Sequence, residues 1–238
     1  MLNAPSPPGS NPEFDYQEAV GGKTDDRYAL KGLALNRWIN RPLAGLIVRA
    51  LFRTRVSPNQ VTLAAFALGM AGAFFFYRGS AWSSALGGAL AQLSSIVDCA
   101  DGMLARARGR SSEYGASLDL LLDRVNEFFL LVGAVLGYYA ASGRTGLLIL
   151  GLLGTALFFL LTTLFYLIKN YRDDAAKGEA AENRAWLMAL LCVFGALNRI
   201  DLGIYVLAIG MAGSILVVIV IFFRLRPRRS RPEPAGGG

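Results

Sequence analysis

The chain contains no histidine in its 238 residues and only two cysteines. Without histidine there is no Ser–His or Cys–His nucleophile pair and no metal site built on imidazole. Cys99 and Cys192 both lie in apolar segments, so a disulfide framework is excluded as well. Charge is also scarce. Charged residues make up 17% of the chain against 54% hydrophobic residues, whereas an ordinary soluble domain is both less apolar and more charged. Acid–base chemistry is left to Asp, Glu, Lys or Tyr.

What the chain has in quantity is long apolar runs separated by short polar loops, the pattern of one helical membrane domain. Residues 1–22 are rich in Pro, Gly, Ser and Asn, lack periodicity and read as a disordered tail without the apolar core of a signal peptide. In residues 23–55, Leu30, Leu33, Ala34, Trp38, Ile39, Leu43, Leu46, Ile47 and Ala50 recur at helical spacing. Lys31, Arg37, Arg41, Arg49, Arg53 and Arg55 fill the gaps. This run is too charged to cross a bilayer. It suits a basic amphipathic helix lying on the membrane surface and broken near Pro42; a short soluble helical domain is the alternative.

Residues 56–224 predict six transmembrane helices, near 59–77, 81–107, 113–141, 145–170, 184–197 and 202–223. Only the fifth falls short of the ~20 residues a bilayer requires. Residues 225–238 form a basic, disordered C-terminal tail. The expected fold class is therefore all-α: a polytopic membrane protein of six transmembrane helices preceded by an amphipathic juxtamembrane helix.

The net charge of +7 has an explanation that needs no nucleic acid. The Lys and Arg residues of 23–55, Arg106, Arg108, Arg110, the stretch from Lys169 to Arg184 and the C-terminal tail fall on one side of the predicted helices. The other side carries only Arg78, Arg144 and Arg199. The basic side is expected to be cytoplasmic, with both termini inside and the protein integral to a prokaryotic cell membrane.

Charged groups inside membrane helices are costly and usually functional. The second and third predicted spans hold four aspartates near their cytoplasmic ends. Asp98, Asp101, Gly102 and Ala105 share one helical face, and Gly115, Asp119 and Asp123 share one face of the next helix. The spans are antiparallel about a turn near residues 109–112. Asp101 and Asp119 lie equally far from that turn, as do Asp98 and Asp123 about one helical turn deeper. Four carboxylates so close must stay partly protonated or be neutralised by divalent cations. All-oxygen ligation suits Mg²⁺ or Mn²⁺, and Mg²⁺ is commonly shared with substrate phosphates. Small residues beside the acids leave room for a ligand or allow close helix packing. Arg106 is placed to meet a phosphate or to serve as a flanking charge.

The string Asp98-x2-Asp101-Gly102-x2-Ala105-Arg106-x8-Gly115-x3-Asp119-x3-Asp123 resembles the signature of the CDP-alcohol phosphotransferase family at every fixed position. The resemblance implies transfer of a phosphoryl-alcohol group from a CDP-alcohol to an acceptor alcohol, with release of CMP. It implies that Asp98, Asp101, Asp119 and Asp123 hold metal, with two ions, and that Asp123 also acts as the base that activates the acceptor. It implies further that Gly102, Ala105 and Gly115 make room for the cytidine nucleotide and that Arg106 supports its phosphates. Ser57-Pro58-Asn59-Gln60-Val61-Thr62 is similar to the family's entry to its first span, which would bring Asn59 and Thr62 to the nucleotide. The same residues also read as a helix start, with Ser57 as N-cap and Pro58 at the first helical position.

The run from Gly115 to Arg124 looks closest to the inositol-phosphate branches of that family. In some of these a nucleotidyltransferase is fused upstream, and the residues ahead of Ser57 are expected to leave no room for one. A phosphorylated acceptor would need cytoplasmic cations, for which Arg110, Lys169, Arg172 and Arg184 are candidates against an ordinary positive-inside role. Arg124 is expected to pair with Glu127 one turn on. The family commonly forms homodimers. The competing class of function is a non-enzymatic cation carrier that uses the aspartates as its site. Against it stand the clustering of the acids at one end and the lack of an inverted repeat.

Overall fold

The computed structural model describes residues 36–170 and 176–224, with side chains for residues 38–162 and 186–215. The tails at 1–22 and 225–238 lie outside the described residues. A π-helical turn, Asn36–Asn40, leads into α1, Arg41–Leu51. There follow α2, Pro58–Tyr77; α3, Ala81–Ala107; α4, Glu113–Ser142; α5, Thr145–Asn170; α6, Ala176–Ala196; and α7, Ile200–Arg224. No strand occurs among the described residues.

The helix starts are written locally. Ser57 caps α2: its hydroxyl accepts from the Gln60 amide at 3.3 Å, and the Gln60 side chain accepts from the Ser57 amide at 2.9 Å. Pro58 occupies the first turn, where its missing N–H costs nothing. Ser80 and Ser83 repeat this reciprocal cap at the start of α3. The turns after α2, α3, α4 and α6 each use one left-handed residue, Gly79, Gly109, Gly143 and Asn198, which ends a helix and satisfies its last carbonyls.

Two expected boundaries move. The juxtamembrane helix stops at Leu51, and residues 52–57 form turns and extended chain rather than helix. The change at its start is a switch from π to α geometry at Arg41, with Pro42 in the first α turn, where proline is tolerated. The fifth predicted span begins at Ala176, well before residue 184. Residues 176–185 are polar but rich in Ala and Glu, strong helix formers that extend the helix beyond its apolar half.

Among the described residues, two helices are long and apolar enough to cross a membrane: Pro58–Tyr77 and Thr145–Thr162. Shorter apolar stretches are Trp186–Ala196 and Ile200–Ile215. The helices α3 and α4, at 27 and 30 residues, have the length but are diluted by Ser, Gly and acidic residues.

The core has two parts. Ala73, Phe76, Ala91, Leu130, Leu131, Ala134 and Val135 of α2–α4 pack with Leu147, Met188, Leu191, Ile200 and Ile204 of α5–α7. A second cluster joins Ala44 and Val48 of α1 to Val61, Ala100, Met103 and Leu104. One face of α1 packs on α3, while Leu43 and Leu46, with Trp38 of the preceding π turn, point outward. At the end remote from residues 98–123, α2 and α4 touch backbone to backbone. A Cβ on Gly137 would lie 1.9 Å from the Phe76 carbonyl oxygen, and one on Gly133 would lie 2.5 Å from that of Ala73. Gly137→Val is expected to force these helices apart and lower stability in detergent by ~1–3 kcal/mol. Gly146→Ala, with nothing within 4 Å of its new methyl, should be neutral or stabilising by up to ~1 kcal/mol. Thermal unfolding of both variants checks the pair.

Candidate active site

The acidic residues meet because α3 and α4 form a tight hairpin. The chain leaves α3 at Arg108, turns through Gly109 at φ +59° and re-enters helix under the Ser112 cap, whose hydroxyl accepts from the Gly115 amide at 3.0 Å. Glu113 in the first turn of α4 suits the positive end of its dipole.

With the register so set, carboxylate oxygens of Asp98, Asp119 and Asp123 lie within 4.8 Å of one another. Asp101 sits beside them at 5% exposure, within electrostatic reach of Asp98 and Asp119. Its Oδ2 has no hydrogen-bond donor among the described residues. The Thr62 hydroxyl of α2, 3.2 Å from the Pro58 carbonyl, also lies within hydrogen-bonding reach of Asp101. If Asp98, Asp119 and Asp123 were all ionised, each pair at this spacing would repel by ~3–4 kcal/mol at an effective dielectric of ~20. A divalent cation would relieve that repulsion, and the orphaned Asp101 oxygen stands beside it as a further oxygen donor. A hard ion that prefers oxygen matches this donor set, so Mg²⁺ or Mn²⁺ fits the residues present.

The small residues border open space. A Cβ on Gly102 would meet only the flexible Arg106 guanidinium, at 3.4 Å. One on Gly115 would meet the Ser112 hydroxyl at 3.0 Å and the Asn59 Oδ1 at 3.4 Å. Asn59 and Thr62 of α2 therefore stand at the same end as the acids, Asn59 exposed and Thr62 buried. Ala105 is half-buried one turn from Asp101, and Arg106 is exposed. Arg110 is exposed in the α3–α4 turn. Lys169 and Arg184 lie on α5 and α6 with their side chains outside the described set, and Arg172 lies outside the described residues.

Two features near the site escape a reading of spacing alone. Arg41, at the start of α1, comes within electrostatic reach of Arg106 and Cys99, which makes it a further cation at this end. Arg108, counted from sequence as a flanking charge, is a clamp. Its guanidinium donates to the carbonyls of Leu51, Phe52, Thr54 and Val56, at 3.0 Å for Phe52 and 2.9 Å for Thr54. One side chain thereby ties the α1–α2 connection to the end of α3. The Arg124–Glu127 pair forms as expected, at 2.7 Å, with Glu127 fully buried.

A wider comparison places the chain. The profile of the CDP-alcohol phosphatidyltransferase family matches residues 55–225. The chain belongs to this family. Its members are transferases. A bifunctional IPC transferase and DIPP synthase of Rubrobacter xylanophilus is 47% identical over 43% of this chain and 23% of its own length. Its counterpart in Aquifex aeolicus is 40% identical over 43% of this chain and 24% of its own length. The chain thus spans about a quarter of these curated relatives. An archaetidylinositol phosphate synthase of Pyrococcus horikoshii is 26% identical over 68% of this chain and 81% of its own length. The crystal structure of Mycobacterium tuberculosis phosphatidylinositol phosphate synthase with CDP-DAG bound shares the fold at a TM-score of 0.61. It is 18% identical and covers 80% of this chain and 98% of the other.

Replacing Arg108 by Ala should free four carbonyls and loosen α1 and the start of α2 from α3, at a cost of ~1–3 kcal/mol. Arg108→Lys should recover little, because an ammonium lacks the planar fork that reaches several acceptors. Thermal unfolding, with limited proteolysis between residues 51 and 57, reads both effects.

Proposed function

We propose that the protein transfers a phosphoryl-alcohol group from a CDP-alcohol to an acceptor alcohol and releases CMP, in phospholipid or inositol-phosphate-type polar-lipid synthesis. The observation that carries this reading is the convergence of Asp98, Asp119 and Asp123, with Asp101 beside them, at one end of a helical bundle in this family. In this reading six helices, α2 to α7, cross the membrane of a prokaryotic cell, with both termini and the acids on the cytoplasmic side and α1 at the interface. The protein acts as a homodimer.

Asp98, Asp101, Asp119 and Asp123 would hold two Mg²⁺ or Mn²⁺ ions, which supply charge neutralisation at the pyrophosphate and at leaving CMP. The chain's own groups do the rest. Gly102, Ala105 and Gly115 leave the space that the cytidine nucleotide fills, and Asn59 and Thr62 border it from α2. Arg106 steadies the phosphates. Asp123, one turn deeper than Asp119, orients the acceptor hydroxyl and takes its proton at a carboxylate oxygen. Arg110, Lys169, Arg172 and Arg184 are the cations proposed to receive an acceptor phosphate. Transport by the aspartates has weaker support: the acids stand together at one end, and this family consists of transferases.

The relatives' names divide on the product, archaetidylinositol phosphate for some and DIPP for others, and the choice of donor for this chain rests on its own cavities. A cavity of about 420 Å³ between α4, α5, α6 and α7 favours a lipid donor. Leu131, Val135, Phe158, Leu191 and Leu207 are among its lining residues. Its α4 wall begins eight residues beyond Asp123, ~12 Å deeper, within the reach of an acyl chain.

Purified protein with Mg²⁺ should release CMP from CDP-diacylglycerol faster than from CDP-inositol when offered inositol phosphate, and EDTA should stop the reaction. Mass spectrometry identifies the product, and no CMP release from any CDP-alcohol would sink the reading. Asp123→Asn is expected to slow turnover by ~100- to 10,000-fold while CDP-alcohol binding stays measurable by calorimetry.

A further inference from the structure

We propose that Asn126 sets the register of the carboxylate cluster, through a lock that joins three helices one turn beneath it. Asn126 follows Asp123 by three residues on α4, and Ser94 precedes Asp98 by four on α3. The Asn126 Nδ2 donates to the Ser94 hydroxyl at 3.0 Å, and that hydroxyl donates to the Ala65 carbonyl of α2 at 2.8 Å. Both side chains are buried, at 4% and 2% exposure. The amide rests on Gly69 of α2 so closely that a Cβ there would lie 2.0 Å from Oδ1 and 2.1 Å from Nδ2. One short side chain therefore fixes α4 against both α3 and α2.

The bond acts where alignment matters. A one-residue register shift of α4 on α3 is a screw of ~1.5 Å and ~100°, which would carry Asp119 and Asp123 away from Asp98. Apolar packing resists such a slide without direction; a buried hydrogen bond specifies a single offset. It does so at a cost, because the Asn126 Oδ1 has no donor among the described residues, and a buried acceptor left so is destabilising. A leucine of similar size would avoid that cost and forfeit the registration. Asn126 touches none of the four carboxylates through the bonds it makes, so it is a positioning residue.

This inference rests on the proposed role of the aspartates as metal ligands, so its test reads metal binding without turnover. Mn²⁺ alone is the probe, followed by electron paramagnetic resonance on the full chain in detergent, with thermal unfolding measured in parallel. Asn126→Ala is expected to weaken Mn²⁺ binding by ~10- to 100-fold, the range found when groups that orient metal ligands are removed. Gly69→Ala should do the same by expelling the amide. In the double variant Gly69→Ala/Asn126→Ala the new methyl occupies the vacated space. Thermal stability should then rise above that of Gly69→Ala while Mn²⁺ affinity stays low. Ser94→Thr, which keeps the hydroxyl, should bind better than Ser94→Ala. Wild-type Mn²⁺ affinity in Asn126→Ala, or affinity that recovers with stability in the double variant, overturns the proposal. Asp98→Asn separates the two claims. If it fails to reduce Mn²⁺ binding, the metal reading falls and the register proposal with it. If it does reduce binding while Asn126→Ala does not, only the register proposal falls.

Discussion

Mutual repulsion among carboxylates is the constraint around which this bundle is organised. Three acidic oxygens within 4.8 Å, and a fourth carboxyl buried next to them, would drive α3 and α4 apart if nothing opposed them. The opposition comes from places the acids do not touch. Ser112 and Gly109 shape a short turn that keeps the hairpin closed at one side. Asn126, Ser94 and Gly69 hold it from the other. The cluster is thus pinned above and below, and its charge is relieved by protonation or by what binds between the helices rather than by their separation.

The two ends of the bundle use glycine differently. At the far end, glycines on α4 let its backbone meet that of α2, so that no side chain separates them. At the acidic end, Gly102 and Gly115 also lack side chains, yet a methyl on either would meet flexible side-chain atoms rather than backbone. The same residue type serves contact at one end and vacancy at the other. What differs is whether a neighbouring helix fills the space. A polar seam runs between: Asn40 donates to Ser95 at 3.0 Å and accepts from Gln92 at 2.9 Å, which seats the π turn before α1 on α3. In a low-dielectric interior such bonds are directional and costly to break, so they suit a task of alignment more than one of bulk stability.

Much of this was legible in the residues. Ser57-Pro58 announced the start of α2, the spacing of Asp98, Asp101, Asp119 and Asp123 announced two facing helical stripes, and Arg124 and Glu127 announced their own pairing. These are local signals, read over one or two turns. The rest depends on contacts across the chain that no spacing encodes. Arg108 looks like any flanking arginine until residues 51–56 fold back to present four carbonyls to it. Asn126 looks like one more polar residue beside Arg124 and Glu127 until Gly69, far off in sequence, supplies the socket. The packed face of α1 was hidden because Ala44 and Val48 are too small to stand out beside Trp38 and Leu46, which face outward. The early start of α6 was missed because hydropathy marks where a helix becomes apolar, while propensity decides where it begins.

In the proposed reading, the Arg108 clamp gives α1 a part in chemistry that its own residues do not perform. Arg108 lies two residues past Arg106 and seven past Asp101, on the last turn of α3, and it grips the strand-like connection between α1 and α2. On that reading, a displacement of α1 along the membrane surface would pass through these bonds to the end of α3 and to the start of α2, where Asn59 and Thr62 stand. Trp38 of the π turn and Leu43 and Leu46 of α1 point outward, which on the same reading would seat them in the headgroup region, with the arginines of α1 toward anionic lipid. In the proposed reading, a donor anchored in that layer meets a site whose depth is referenced to the same layer through α1. The depth of the aspartates would then be set by the bilayer as much as by the bundle, because the element that senses the interface and the element that carries Asp98 and Asp101 are joined by one guanidinium.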